Sequence, residues 1–98
     1  MNIEIPRERI EEFCRKWKIT EFALFGSVLT DEFRPDSDVD VLVTFAPDAR
    51  HSLFDRVQMI EELKEIFGRE VDLADKTRLV NPFIRKHVLA HNRVVYAA

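Results

Sequence analysis

The sequence predicts an α/β (α+β) fold in which a small mixed β-sheet is flanked by helices. Three observations lead there. Ile19 to Phe25 and Val39 to Phe45 are apolar runs rich in β-branched and aromatic residues, the composition of strands. A long amphipathic stretch separates the second run from a short third one, Glu70 to Ala74, and a helix of that length suits the crossover between parallel strands. Only two glycines and four prolines occur in 98 residues, so disordered or low-complexity segments have little to draw on.

The first helix is expected from about Pro6 to Trp17. Pro6 suits a first helical position, and Ile10, Phe13, Cys14 and Trp17 fall at i, i+3, i+4 and i+7 on one face. The strand Ile19 to Phe25 ends at Gly26-Ser27, where the backbone must turn sharply into a short helical segment, Val28 to Phe33. Arg34-Pro35-Asp36-Ser37 has the composition of a turn. The second strand turns Val39, Val41, Val43 and Phe45 toward a core and closes at Ala46-Pro47-Asp48. Ser52 and Asp55 form a capping box for a long helix whose apolar stripe is read as Leu53, Val57, Ile60, Leu63 or Lys64, and Phe67; Gly68 ends it in a left-handed conformation. In the third strand Val71 and Leu73 share one face and Asp72 takes the other. Asn81-Pro82 caps and opens a last helix reaching about His91, and Val94-Val95-Tyr96 adds an edge strand.

A chain of this length makes one domain, residues 1–98, and buries on the order of 65% of the surface its unfolded form exposes. A formal charge of −3 argues against non-specific binding to a nucleic-acid backbone, which needs many Lys and Arg against the phosphates. No apolar stretch approaches the ~20 residues of a membrane span, and Met1 to Arg9 lacks the organisation of a signal peptide, so a cytoplasmic protein is expected. The single Cys14 has no internal disulfide partner and sits on the apolar face of the first helix, where a buried, inert thiol is expected.

The chemistry concentrates around Asp38 and Asp40. Residues i and i+2 of a strand point to the same face, so the two carboxylates project together about 7 Å apart and repel by roughly 2.4 kcal/mol at an effective dielectric of ~20. A divalent cation is the simplest counter-charge. Asp72 offers a third carboxylate on a neighbouring strand, and an all-oxygen set without Cys or His suits Mg²⁺. Gly26-Ser27, between a strand and a helical turn, brings what a phosphate needs: bare backbone, a hydroxyl, and unpaired N–H groups. Alone, a Gly-Ser is most often a turn and Asp36-Ser37-Asp38 a solvated loop. The joint order of strand, Gly-Ser, Asp-x-Asp on a second strand and a lone Asp on a third is what points to metal-assisted phosphoryl transfer.

On these residues the chain resembles the nucleotidyltransferase superfamily of DNA polymerase β type, and within it the minimal nucleotidyltransferases, the MNT proteins often paired with HEPN partners in toxin–antitoxin modules. The block LFGSVLTDEFRPDSDVDVLV, Leu24 to Val43, is similar to the family's Gly-Ser signature and Asp-x-Asp; REVDLA, around Asp72, is similar to the segment giving the third carboxylate. Asn81 to Tyr96 resembles the short C-terminal extension of the minimal proteins. The resemblance implies a nucleotidyltransferase fold with two Mg²⁺ ions on Asp38 and Asp40. It implies that Asp72 completes the site and helps deprotonate an incoming hydroxyl, and that Gly26 and Ser27 grip the β- and γ-phosphates. The implied reaction moves a nucleoside monophosphate, AMP from ATP, onto a hydroxyl of a HEPN protein encoded nearby. Family members often carry Arg and Gly where this chain has Thr30 and Asp31, and Asp31 adds negative charge beside a triphosphate; Arg34 either compensates or is a solvated turn residue.

Two rival readings remain at this level. One is a catalytically weak or inactive module of the same fold that neutralises its partner by complex formation alone. The other is transfer to RNA or a small molecule, for which no basic groove or added domain is evident. His87 and His91 have the i, i+4 spacing of a zinc pair but no third ligand, so surface or partner-facing histidines are expected. His51 has no evident partner, and Arg85, Lys86, His87 and Arg93 read as a solvated face open to an acidic partner or a phosphate. Tyr96 reads as an edge-strand aromatic.

Overall fold

A computed structural model describes residues 3–30, 34 and 36–98. Helix α1 (Arg7–Trp17) leads into strand β1 (Ile19–Phe25), and a one-turn 3-10 segment (Gly26–Leu29) follows. Strand β2 (Val39–Phe45), helix α2 (Leu53–Phe67) and strand β3 (Val71–Asp75) form the crossover unit. A second 3-10 turn (Lys76–Arg78), helix α3 (Pro82–Ala90) and strand β4 (Asn92–Ala97) complete the order. The sheet runs β3-β2-β1-β4, with β2 and β3 parallel and β1 antiparallel to both β2 and β4. The expected mixed sheet with flanking helices is the observed fold. Among the described residues no helix is long and apolar enough to cross a membrane.

One sheet face is core. Ile10, Phe13 and Cys14 of α1 and Met59 and Leu63 of α2 pack over Phe22 and Leu24 of β1 and Val39, Val41 and Val43 of β2. The three valines are fully buried, each burial worth about 1.5–3 kcal/mol by area. Ile19 joins this face although strict alternation from Phe22 would send it to the other. A register shift between Ile19 and Glu21 resets the alternation there. On the opposite face α3 sets Val88 over Ala23 and Leu42 in a second, smaller cluster.

Both helix ends of α2 match their residues: Ser52 and Asp55 exchange bonds at 3.1 and 2.9 Å, and Gly68 caps at φ 67°. The C-terminal part of the expected stripe faces the core, with Leu63 buried and Ile60 and Phe67 packed against it, but its N-terminal part does not. Met59 and Leu63 are buried, whereas Leu53 and Val57 are 80% and 58% exposed. The helix is rotated so that Arg56, one turn before Met59, donates to the Leu73 carbonyl of β3. A satisfied guanidinium and a flexible Met on the inner face together outweigh the neater Leu53–Val57 spacing.

Smaller differences occur at element ends. Pro6 is the residue preceding α1 rather than its first member, and His91 closes α3 from outside. The helical turn after β1 starts at Gly26 and stops at Leu29, because Thr30 is already extended (φ −123°, ψ 169°). The rest of the expected segment, Asp31 to Phe33, lies outside the described residues, as does Pro35 of the turn. β4 is longer than Val94 to Tyr96 because β1 pairs with it from Phe25↔Asn92 to Glu21↔Ala97, with one register shift between Phe22 and Ala23.

Candidate active site

The parallel ladder pairs Val39 with Val71 and Val41 with Leu73, and between them Asp40 lies directly opposite Asp72. Asp38 stands two residues earlier, just before β2 begins. Asp40 is half-buried while Asp38 and Asp72 are exposed. Burial first, then the neighbouring carboxylates of Asp72 and Asp38, push the Asp40 carboxyl up from its ordinary value. Asp40 therefore feels both other acids at one end of the sheet's second face.

The antiparallel pairing of β1 with β2 brings the Gly-Ser turn to the same place. Phe25 is opposite Asp40, so Gly26 follows directly beside its carboxyl group. Gly26 has φ +76°, a conformation that favours glycine, and a Cβ there would overlap Asp40 Oδ2 and lie 3.1 Å from its carboxyl carbon. Both the turn and the close approach require the missing side chain. The backbone then tightens: Thr30 donates to the Ser27 carbonyl through its amide and its hydroxyl, both at 2.9 Å. At one 3-10 turn the segment has little macrodipole, so its contribution to an anion would come from local N–H groups.

The approach to Asp38 is fastened by a residue the sequence reading passed over. Arg34 and Ser37 close a turn on each other, with Arg34 N donating to Ser37 Oγ at 2.9 Å and Ser37 N donating to the Arg34 carbonyl at 3.0 Å. Arg69, from the loop before β3, donates Nη1 to the Arg34 carbonyl at 2.7 Å and to the Ser37 carbonyl at 3.4 Å. On the far side of Asp38, Val39 N donates to the Glu70 carbonyl at 3.0 Å. The signal for Arg69 lies in contacts more than thirty residues apart in the chain, which no local pattern carries.

The donor chemistry fits a hard divalent cation: carboxylate oxygens on facing positions, one of them held up in pKa first by burial and then by its like-charged neighbours. The acids are neighbours rather than a closed cage. Among the described residues no group of three or more His, Cys, Asp or Glu is gathered to hold a metal ion. That includes His87 and His91, which are exposed and stacked at 4.5 Å, with His91 Nδ1 3.0 Å from the His87 carbonyl. His51 is structural, its Nε2 2.8 Å from the Trp17 carbonyl and its ring against Phe45 and Trp17. Arg85 donates to the Lys76 carbonyl at 2.9 Å, and Tyr96 packs partly buried on the main core. A cleft of about 450 Å³ between Phe45, His51, Arg56 and Arg78 is lined by none of Asp38, Asp40 and Asp72.

The family model described as nucleotidyltransferase domain matches residues 7–95. The chain belongs to the nucleotidyltransferase domain family. Among its relatives, protein adenylyltransferase MntA of Thermococcus cleftensis is 36% identical over 86 residues, covering 88% of this nucleotidyltransferase and 82% of that protein. A protein of Methanocaldococcus jannaschii, provisionally named a protein adenylyltransferase, is 34% identical over 85 residues, covering 87% and 85%. Among solved structures, a toxin–antitoxin crystal structure with AMP-PNP superposes with TM-score 0.75 at 20% identity, covering 96% of this chain and 75% of that one. A Shewanella oneidensis complex of a tri-AMPylated HEPN toxin with an MNT antitoxin gives TM-score 0.66 at 19% identity, covering 94% and 70%. At those identities the structural likeness establishes the nucleotidyltransferase fold.

Proposed function

We propose that this nucleotidyltransferase transfers AMP from ATP to a hydroxyl of a HEPN-type partner protein, in the manner of an MNT antitoxin, and that Asp38, Asp40 and Asp72 form its catalytic centre. The observation that carries the reading is the direct pairing of Asp40 with Asp72 across the parallel ladder, with Gly26 against the same carboxyl group. The names of the relatives and the AMP-PNP and AMPylated complexes of the structural neighbours support adenylyl as the group moved.

In this reading Asp38 and Asp40 would hold the Mg²⁺ ions, with Asp72 completing the set; bound there, the metal would neutralise charge on the phosphates under attack. Closing a set around an ion asks these side chains to turn toward one another, since they are not gathered as a cage. Asp72 accepts the proton of the incoming hydroxyl as its oxygen bonds to the α-phosphorus. The bond from that phosphorus to the bridging oxygen of pyrophosphate breaks in line with the attack, and pyrophosphate leaves. Gly26 and Ser27 offer backbone and hydroxyl to the β- and γ-phosphates. A protein acceptor is favoured over nucleic acid. The net charge is −3, and α3, on the acidic face, exposes Phe83 and Ile84, 84% and 55% accessible, for a partner to cover.

The test uses the purified chain, Mg²⁺, labelled ATP and the product of the neighbouring gene. Label on the partner with the native chain and none with Asp38→Asn/Asp40→Asn is the expected result. Equal labelling by both proteins, or by neither, sinks the catalytic reading. A stable complex without label would instead establish the binding module.

A further inference from the structure

Asp38 is the one acid of the three outside the sheet. β2 begins at Val39, so the ladder that pairs Asp40 with Asp72 does not include it. Exposed, and with its charge already acting on the half-buried Asp40, it would swing toward solvent unless its backbone were held. We infer that Arg69 is the positioning residue for Asp38, clamping the turn before it and thereby fixing its register against Asp72. The inference rests on the catalytic reading of these acids given above.

The clamp brackets Asp38 from both sides using one short segment. Upstream, the Arg69 guanidinium takes the carbonyls of Arg34 and Ser37. Downstream, the Glu70 carbonyl takes the amide of Val39. Two residues after Glu70 the same segment delivers Asp72, so the first and third acids are set by one piece of backbone. That piece is itself anchored, by the left-handed Gly68 closing α2 and by the 3.1 Å ion pair of Glu70 with Lys64. Hydrogen bonds from a charged donor are roughly twice as strong as neutral ones, which suits a residue holding a loop against electrostatic repulsion. Arg69 is also partly buried, and its bond to the Ser37 carbonyl lies on the partly buried side.

The experiment compares the native chain, Arg69→Ala and Arg69→Lys in amide hydrogen exchange of the metal-free protein, Mn²⁺ binding followed by water-proton relaxation, and AMP transfer. In Arg69→Ala, exchange should accelerate at Ser37 while Val41, in the core, keeps its protection. Mn²⁺ affinity should fall by about 10- to 100-fold, the range typical of losing a residue that orients a metal ligand. Transfer should fall in kcat, with KM for ATP little changed, and Arg69→Lys should restore part of both. Unchanged exchange at Ser37, or unchanged Mn²⁺ affinity in a folded Arg69→Ala, overturns the inference. So does equal acceleration at Ser37 and Val41, which would make Arg69 a general stabiliser. Native protein that binds Mn²⁺ and loses it with Arg69→Ala, yet transfers no AMP, keeps the clamp and sinks the catalytic reading alone.

Discussion

Strand β2 shows two faces that the same seven residues serve in opposite ways. Val39, Val41 and Val43 are fully buried against α1 and α2, where alternation, β-branching and close packing all favour one conformation. On the other face Leu42 lies under Val88 of α3, but Asp40, one step along, is left half-buried next to two like charges. The valine face stabilises the fold; the acidic end withholds stability from it. Such a local conflict on an otherwise consistent strand is the physical signature of a site.

Substitutions at paired positions break the contrast in opposite directions. If Asp40 holds metal as proposed, Asp40→Asn should reduce AMP transfer by about 10³-fold or more, because the charge it removes would then be worth several kcal/mol in the transition state. Its metal-free melting temperature should not fall, because a partly desolvated charge and two repulsions go with it. Transfer assays and calorimetry on one preparation check both halves; a clear loss of stability would make Asp40 a structural residue. Gly26→Ala comes next. A side chain at φ +76° costs about 1 kcal/mol and this one would also displace the Asp40 carboxyl, so transfer should drop by about 100-fold while the fold persists.

Val41→Ala should do the reverse. Removing two methyl groups from the closed core costs about 2 kcal/mol, which lowers the melting temperature of a domain this size by about 8–16 °C. Below the melt, transfer should stay within about twofold of the native chain. A larger loss of transfer than of stability would mean the two faces are coupled through the strand, against the independence expected of sites without shared contacts.

The same contrast explains what could be read from the residues alone. β1 and β2 were legible end to end, because each alternates or runs apolar between strong turn signals, and the capping box and Gly68 of α2 were legible because their partners are local. Asp72 was legible as a face, and the ladder supplies its partner. The turn at Gly26–Leu29 was misplaced, since four residues give no period to detect. In the core stripe of α2 Ile60, Leu63 and Phe67 were legible, whereas Leu53 and Val57 were misread because hydrophobic spacing cannot see that Arg56 finds a carbonyl on β3. The turn at Lys76–Arg78 went unread, though Asp75 accepting from the Thr77 amide and hydroxyl is an Asx-type signal that Asp-x-Thr could have given. Arg69 was invisible because its value lies wholly in non-local contacts.

The smallest effect belongs to the valine face and sharpens its closed character. Cys14 is fully buried between α1 and the sheet, and desolvation pushes its thiol up from 9.0 to about 12, slightly offset by the Arg15 charge. Between those values the native state keeps a proton that the unfolded chain has released. Stability from this group is therefore complete below about pH 9 and is lost as pH rises toward 12. Cys14→Ala should cost about 1 kcal/mol at pH 7 but flatten the alkaline fall seen in urea titrations at pH 7, 9 and 10. The native thiol should resist a disulfide reagent at pH 8 and react fully once the chain is unfolded. Reaction of the folded protein at the rate of free cysteine would show that α1 opens readily, and the core face would then be no more rigid than the acidic end.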